Sequence, residues 1–104
     1  MASLGIKTAV ENEEAVPTTY TLYQNYPNPF NPTTNIKFSL PTSGQVRLTI
    51  YDAVGREVAT LVNNELSAGS HNIEWRAQGM ASGIYLYRIV AGNFVKVNKM
   101  LLVK

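Results

Sequence analysis

Few side chains in this sequence could act in catalysis, and His71 is the only histidine. Nucleophilic catalysis needs a base that activates a hydroxyl or thiol, and imidazole is the usual choice. His71 lies in a predicted strand, with no serine whose geometry can be argued from the sequence. A single histidine in a strand is usually a surface residue or a satisfied core residue. We therefore predict no catalytic residue.

The acidic residues do not form a recognisable catalytic pair or metal site. Glycoside hydrolysis needs two carboxylates that face one cleft, but Asp52 lies in a predicted turn. The other candidates occupy solvent-facing strand or loop positions: Glu57, Glu65 and Glu74. The chain has no cysteine, and one histidine with scattered acids matches neither zinc nor calcium ligand spacing. We predict no metal, no cofactor and no enzymatic activity.

Tyrosines are the remaining residues with binding chemistry. Tyr51, Tyr85 and Tyr87 could form a flat platform that stacks on sugars, as in carbohydrate-binding modules. Tyr85 and Tyr87 are two positions apart and point to one face of a predicted strand. We favour the alternative that they fill the core or an interface, because exposed aromatic residues are better evidence for a binding site than their number.

Short predicted strands position these residues. Apolar and polar residues alternate as in half-buried strands, for instance at Ile36, Phe38 and Leu40. Segment 84–91 is almost continuously apolar, which is typical of a central strand. Segment 63–69 is predicted to be a loop or, alternatively, one helical turn. The predicted strands are 20–24, 36–40, 46–51, 58–62, 71–76, 84–91 and 94–103.

Turns separate these strands at intervals of about 8–12 residues, a spacing typical of sandwiches. Gly55 fits the left-handed position of a turn after Asp52, and Gly92-Asn93 is a two-residue hairpin turn. The sequence therefore predicts an all-β fold, an antiparallel immunoglobulin-like β-sandwich of about seven strands. A small closed barrel is the alternative, which would need strands of more regular length than 20–24 and 58–62.

A proline-rich segment lies between the first two predicted strands. Its three prolines fall within six positions, and each fixes φ and removes an amide donor, so neither a helix nor a central strand can form. Its asparagines can bond their own backbone. We expect a stiff, irregular segment with Tyr26 and Phe30 as anchors. We call it the proline strap: Asn25, Tyr26, Pro27, Asn28, Pro29, Phe30, Asn31 and Pro32.

Length and composition fit one domain after a linker. The chain has 104 residues, of which 45% are hydrophobic, enough for one core. Segment 1–19 has little periodicity, three acids and Pro17, which predicts a flexible linker that begins with a possible expression scar, Met1-Ala2-Ser3. Ser3, Gly5 and Lys7 interrupt any secretory signal. Residues 20–104 form the predicted domain.

Charge and hydropathy exclude two classes of partner. Segment 20–104 has eight basic and four acidic residues, a surplus too small and scattered for a nucleic-acid-binding face. The longest apolar runs, such as 100–103, are far shorter than the ~18 residues that a membrane span needs. We predict no nucleic-acid partner and no membrane span.

Several motifs together resemble a known family. They are the proline strap preceded by Gln24, Ile50-Tyr51-Asp52 with Gly55, Ala68-Gly69 before His71, Trp75, Ser82-Gly83-Ile84-Tyr85, and the ending Lys99-Met100-Leu101-Leu102. In this combination the chain resembles the C-terminal sorting domain (type A) of type IX secretion system cargo proteins, found in Bacteroidetes and related bacteria. The resemblance covers residues 20–104, and its structural motif comprises the proline strap with Gly55, Gly83 and Tyr85.

The resemblance implies a non-catalytic immunoglobulin-like domain that directs a larger cargo protein through the type IX outer-membrane translocon. The cargo would pass through the periplasm and reach the cell surface or the extracellular space. A sortase-like peptidase would cut upstream of the domain, within residues 1–19. The alternatives are a carbohydrate-binding module or a structural spacer of an extracellular enzyme.

The end of the chain is the predicted recognition site. Because no later element can cover the last strand, we expect it at a sheet edge or as a fraying terminus, where the translocon could add a strand. Self-association could use the same edge. Lys96 and Lys99, at odd spacing on opposite faces, could protect the edge or help a receptor to recognise it. The residues predicted to contact the translocon are Lys99, Met100, Leu101 and Leu102.

Overall fold

The computed structural model describes residues 16–104, so most of the predicted linker, residues 1–15, lies outside the described part. Seven strands are found in this part of the chain, and they follow the predicted order. Their bounds are β1 Thr21–Leu22, β2 Thr33–Leu40, β3 Gly44–Asp52, β4 Glu57–Leu66, β5 Gly69–Arg76, β6 Gly83–Ala91 and β7 Phe94–Leu102.

The strands form two antiparallel sheets. One sheet has three strands in the order β1-β2-β5, and the other has four in the order β4-β3-β6-β7. The two sheets share no strand, and their apolar faces enclose one core. The predicted all-β sandwich of about seven strands is therefore confirmed, and no closed barrel forms in the described part of the chain.

Alternation along the strands determines which side chains enter the core. In β2 the side chains of Ile36 and Phe38 are buried, whereas those of Asn35 and Lys37 are exposed. Burying apolar side chains from both sheets is the main stabilising contribution, at about 25 cal/mol per Å² of apolar surface. The buried apolar residues are Leu22, Phe30, Ile36, Phe38, Leu40, Val46, Leu48, Ile50, Val62, Trp75, Ala77, Tyr85, Tyr87, Ile89, Ala91, Met100 and Leu102.

Strand β4 is longer than the sequence predicts. Asn63 and Asn64 pair with Arg47 and Val46 of β3, so the predicted loop or helical turn at 63–69 is wrong for residues 63–66, and the connection is limited to Ser67 and Ala68. Two register shifts interrupt the β3–β4 ladder, and the solvent-facing asparagines weaken its apolar pattern. Because β4 lies at the edge of its sheet, cross-strand hydrogen bonds hold it in place with few buried side chains.

The turn between β3 and β4 confirms the predicted roles of Asp52 and Gly55. Gly55 has φ of +94°, the left-handed region that glycine tolerates best. The Asp52 carboxylate accepts hydrogen bonds from the backbone N–H groups of Val54 and Arg56, at 3.1 and 2.9 Å, and from Arg56 Nε at 2.8 Å. The bond from the Arg56 backbone is the main cause that lowers the pKa of Asp52. This carboxylate stabilises a turn.

Candidate recognition surface at the last strand

The predicted recognition residues divide between the two faces of β7. This strand is the edge strand of the four-stranded sheet, as expected. Met100 and Leu102 point into the core and are buried, whereas Lys99 is exposed and Leu101 is half-buried on the outer face. Only Lys99 and Leu101 therefore present side chains to a partner.

The proline strap covers the C-terminal half of this edge. Phe30 forms a parallel bridge with Leu102: its N–H donates to the carbonyl of Leu101, and its carbonyl accepts from the N–H of Val103, both at 3.0 Å. The N–H of Leu101 donates to Asn28 Oδ1 at 2.9 Å. The prediction of an uncovered terminal strand is wrong for this half of β7. The structure instead joins the strap and the Lys-Met-Leu-Leu ending, about 70 residues apart, into one hydrogen-bonded unit.

Asn25 fixes the start of the strap from inside the protein. Its side chain is buried, and its Nδ2 donates to Thr34 Oγ1 at 2.9 Å and to the carbonyl of Pro27 at 3.1 Å. Its Oδ1 accepts from Gln24 Nε2 at 2.6 Å. Gln24 Nε2 also donates to the carbonyl of Lys99 at 2.7 Å. A carboxamide suits this position because it supplies donors and an acceptor together.

The hydroxyl of Tyr87 connects the four-stranded sheet to the segment before the strap. It donates to the carbonyl of Tyr23 at 2.7 Å, and it accepts from the N–H of Asn25 at 2.8 Å and from Asn98 Nδ2 at 3.2 Å. Burial raises the pKa of Tyr87, although the bonds from Asn98 and Asn25 act in the opposite direction. Both Tyr87 and Tyr85 are buried, so they form no sugar platform, and the core interpretation is confirmed for both.

Aromatic packing lies beneath the strap. The ring of Phe30 is buried against Trp75, with ring centroids 5.8 Å apart, and Trp75 meets Tyr85 edge to face at 5.6 Å. Tyr85 donates its hydroxyl proton to the carbonyl of Ala81 at 2.7 Å. Phe30 is therefore an anchor, as predicted. The prediction for Tyr26 is wrong, because its backbone pairs with Asn35 while its side chain remains 80% exposed.

The N-terminal half of β7 has an uncovered edge. Val95 and Val97 lie at odd positions like Lys99 and Leu101, whose outward backbone groups bond to the side chains of Gln24 and Asn28. Their own outward N–H and C=O groups have no backbone partner among residues 16–104. Their side chains are 52% and 47% exposed. This half of the strand can therefore accept another strand.

The outer face beside this edge is apolar. Ile84 and Val103 are also exposed there, next to half-buried residues of the same hairpin. Three of the eight exposed large hydrophobic side chains in residues 16–104 therefore lie on the β6–β7 hairpin, and a fourth, Val103, directly follows β7. This face is not among the sites predicted from the sequence. The sequence does contain a signal for an exposed apolar face. The β7 strand has apolar residues at both even and odd positions, although only one face of an edge strand can enter the core.

Basic residues surround the apolar face. Arg88 and Lys99 are exposed on the outer face, and Lys96 lies on the opposite face, across from Ile89. Lys96 and Lys99 therefore occupy opposite faces, as the odd spacing predicts. A charged residue that points inward on an edge strand opposes uncontrolled strand pairing.

The remaining candidates for chemistry lie apart from this surface. The Nε2 atom of His71 is 2.8 Å from the carbonyl oxygen of Ser67, and the imidazole stacks on Phe38 with ring centroids 5.4 Å apart. Within residues 16–104, no three His, Cys, Asp or Glu side chains are grouped so that they could hold a metal ion. The same residues include no helix long and apolar enough to span a membrane.

A family model described as the secretion system C-terminal sorting domain matches residues 24–104, from the start of the strap to the last strand. The chain belongs to this family. The matched range includes both the proline strap and the Lys-Met-Leu-Leu ending, which hydrogen bonds join in the structure. The match confirms the resemblance stated from the sequence. The protein therefore has the function of its family, a C-terminal sorting signal for type IX secretion.

A solved structure shares the fold of the sorting domain. It is PorZ, described as an essential bacterial surface component of the type-IX secretion system of Porphyromonas gingivalis, with a TM-score of 0.58 and 20% identity. The match covers 96% of this chain and 13% of the PorZ chain, so the sorting domain corresponds to a small part of that protein. No curated protein sequence matches the sorting domain at a significant level.

We predict that Phe30→Ala strongly destabilises the sorting domain. Removing a buried aromatic ring leaves a cavity and typically costs about 3–5 kcal/mol. Urea unfolding followed by Trp75 fluorescence measures the change. Tyr26→Ala, in the same strap but with an exposed ring, is the matched control and should change stability by about 0.5 kcal/mol or less. Equal effects of the two substitutions would contradict this assignment.

We also predict that Tyr87 makes stability fall at high pH. Because burial raises the pKa of Tyr87 above its ordinary value of 10.0, the unfolded chain loses this proton first as pH rises above 10. The free energy of unfolding should then decrease by up to about 1.4 kcal/mol per pH unit for this one proton. Tyr87→Phe should reduce this slope in urea unfolding series from pH 8 to pH 11.

Tyr87→Phe should also be less stable than the wild type at neutral pH, since it leaves the Asn25 N–H without its partner. It also removes the shorter of the two hydrogen bonds to the Tyr23 carbonyl, whose other donor is Asn98 Nδ2 at 3.4 Å. Tyr26→Phe removes an exposed hydroxyl and should follow the wild type at every pH. An unchanged slope in Tyr87→Phe would show that other groups determine the loss of stability at high pH.

Proposed function

We propose that the sorting domain is non-catalytic and that the type IX outer-membrane translocon recognises it at β7. The observation that supports this proposal is the free edge beside an apolar face on the C-terminal hairpin. Exposed apolar side chains rimmed by polar residues often mark protein–protein interaction sites. Addition of a translocon strand along Val95 and Val97 would pair their free backbone groups, while side chains of the patch give selectivity.

The four predicted contact residues then have two different roles. Lys99 and Leu101 contact the translocon directly, because their side chains are on the outer face. Met100 and Leu102 act indirectly, because their burial and the bonds to the strap hold β7 in register. Deleting residues 100–104 would remove both buried side chains and test folding together with recognition. Single substitutions on the outer face separate the two.

The cargo route is part of the same proposal. The domain directs a larger cargo protein across the periplasm and through the translocon to the cell surface or the extracellular space. A sortase-like peptidase cuts the cargo upstream of the domain, within residues 1–19. The intact mass of an exported reporter would locate this cut, and a cut inside the β-sandwich would contradict the proposed position.

We predict that Val97→Lys blocks export of a reporter fused to residues 17–104 in a type IX-competent host. The substitution adds a charge on the outer face beside the free edge without touching the core, so the fusion should fold but remain in the periplasm. Export is measured by reporter activity in the medium and in periplasmic extracts, and folding by a thermal melt of the purified fusion.

Tyr26→Lys is the matched control. Tyr26 is 80% exposed, and its backbone bridges Asn35 of the three-stranded sheet, so it lies away from the outer face of β6 and β7. This variant should be exported like the wild type. Export of Val97→Lys at the wild-type level would contradict recognition at this face. Failure of both folded variants would point to a general intolerance of added charge and would also contradict the proposed location.

The same edge supports weak self-association. Two copies could pair along Val95 and Val97 and cover part of each other's apolar face, although Lys96 opposes close pairing. We predict that sedimentation velocity of the wild type shows an average mass that rises between a low and a high concentration. Val97→Lys should reduce this rise. A single monomeric species at both concentrations would contradict self-association.

A further inference from the structure

A groove on the other sheet lies apart from the surface proposed for translocon recognition. It lies on the solvent face of the three-stranded sheet and has a volume of about 510 Å³, within the range of small-ligand sites. Its lining consists of two tyrosines, three carboxamides and one amine: Tyr23, Tyr26, Gln24, Asn35, Asn72 and Lys37. The translocon surface proposed above lies on β6 and β7, in the opposite sheet.

The strand register arranges these side chains in two rows. Lys37 pairs with Asn72 of β5 on one side, and its carbonyl accepts from the N–H of Tyr23 on the other. Two residues earlier on the same face, Asn35 is bridged to Tyr26. One row therefore runs from Tyr23 through Lys37 to Asn72, and the other runs from Tyr26 to Asn35. The pairing of the strands fixes the spacing of these side chains along the groove.

The tyrosine rings are unusually exposed for their size. Tyr26 is 80% exposed and Tyr23 is 42% exposed, whereas Tyr85 and Tyr87 are buried. The face of an aromatic ring has a negative quadrupole, which attracts the weakly positive C–H groups on the flat side of a pyranose. The Nζ atom of Lys37 already lies 5.2 Å from the centroid of the Tyr23 ring, so Tyr26 provides the freer stacking surface.

The carboxamides provide the polar part of the site. Among residues 16–104, the side chains of Asn35 and Asn72 have no hydrogen-bond partner in the structure, and each offers two donors and one acceptor. Gln24 uses its Nε2 for Asn25 and Lys99, which leaves its Oε1 as an acceptor. A sugar hydroxyl is both donor and acceptor, so vicinal hydroxyls complement such amides.

Charge favours a neutral ligand. Among residues 16–104, Lys37 is the one charged residue that lines the groove. Beside the groove on the same face, the exposed Glu74, paired with Asn35, and Arg76, two residues further along β5, have opposite charges. These opposite charges on one face oppose strong selection for either an acidic or a basic ligand. We propose that this groove binds a neutral saccharide, with Tyr26 stacking on a pyranose ring and with Asn35 and Asn72 bonding its hydroxyls.

Isothermal titration calorimetry of the protein with mannobiose, cellobiose and diacetylchitobiose tests the proposal. We expect at least one of these neutral probes to bind, with Kd in the millimolar range or tighter. Tyr26→Ala and Asn72→Ala should each weaken that probe by about tenfold or more, which corresponds to about 1.4 kcal/mol. Tyr26→Phe keeps the ring and should retain binding, and Val54→Ala should bind like the wild type.

Three results would overturn the inference. The first is that none of the neutral probes binds at millimolar concentration. The second is that Tyr26→Ala leaves binding unchanged, which would place the site elsewhere. The third is tighter binding of a digalacturonate or of a proline-rich peptide, which would assign the groove to acidic sugars or to polyproline recognition. Because the variants lie away from the β6–β7 hairpin, export by the Tyr26→Ala fusion should be unaffected.

Discussion

The last strand lies at a sheet edge, and its outward backbone groups require partners or water. The proline strap meets this requirement along only half of β7. Backbone groups of Phe30 and the side chain of Asn28 pair with Leu101 and Val103, whereas no strap residue bonds to the backbone of Val95 or Val97. The outward groups of Val95 and Val97 remain available. One irregular segment thus determines both the stability of the C-terminus and the position of its free edge.

The strap can cover the edge because it is fixed from inside. Asn25 is buried and fully bonded, and the Tyr87 hydroxyl holds the backbone on both sides of Gln24. Phe30 closes the other end by packing on Trp75. A segment without regular hydrogen bonding is held in this way by a few buried polar groups and one aromatic ring. Each unpaired polar group there would carry a desolvation cost.

The fold was predictable from the sequence, but the contacts that define the surface were not. The alternation of apolar and polar residues around Ile36, Phe38 and Leu40 predicts a strand from the local sequence alone, because the two-residue period depends only on the pleat of the backbone. The contact between Phe30 and Leu102 joins residues far apart in the chain, and no local pattern indicates it. Tyr26 and Phe30 have similar local sequences, yet only Phe30 faces the core, because prolines on each side remove the strand period from which facing could be inferred.

The alternation of side chains along a strand explains how the four residues 99–102 can both anchor β7 in the core and present side chains to a partner. Successive side chains in β7 point to opposite faces, so Met100 and Leu102 enter the core while Lys99 and Leu101 face outward. A register slip of one residue would bury the Lys99 ammonium and expose Met100. Burying an unpaired charge is very costly, and the bonds from Asn28 and Phe30 to Leu101 and Val103 hold the correct register. Core packing and the strap therefore keep one set of side chains on the outer face, as a recognition surface requires.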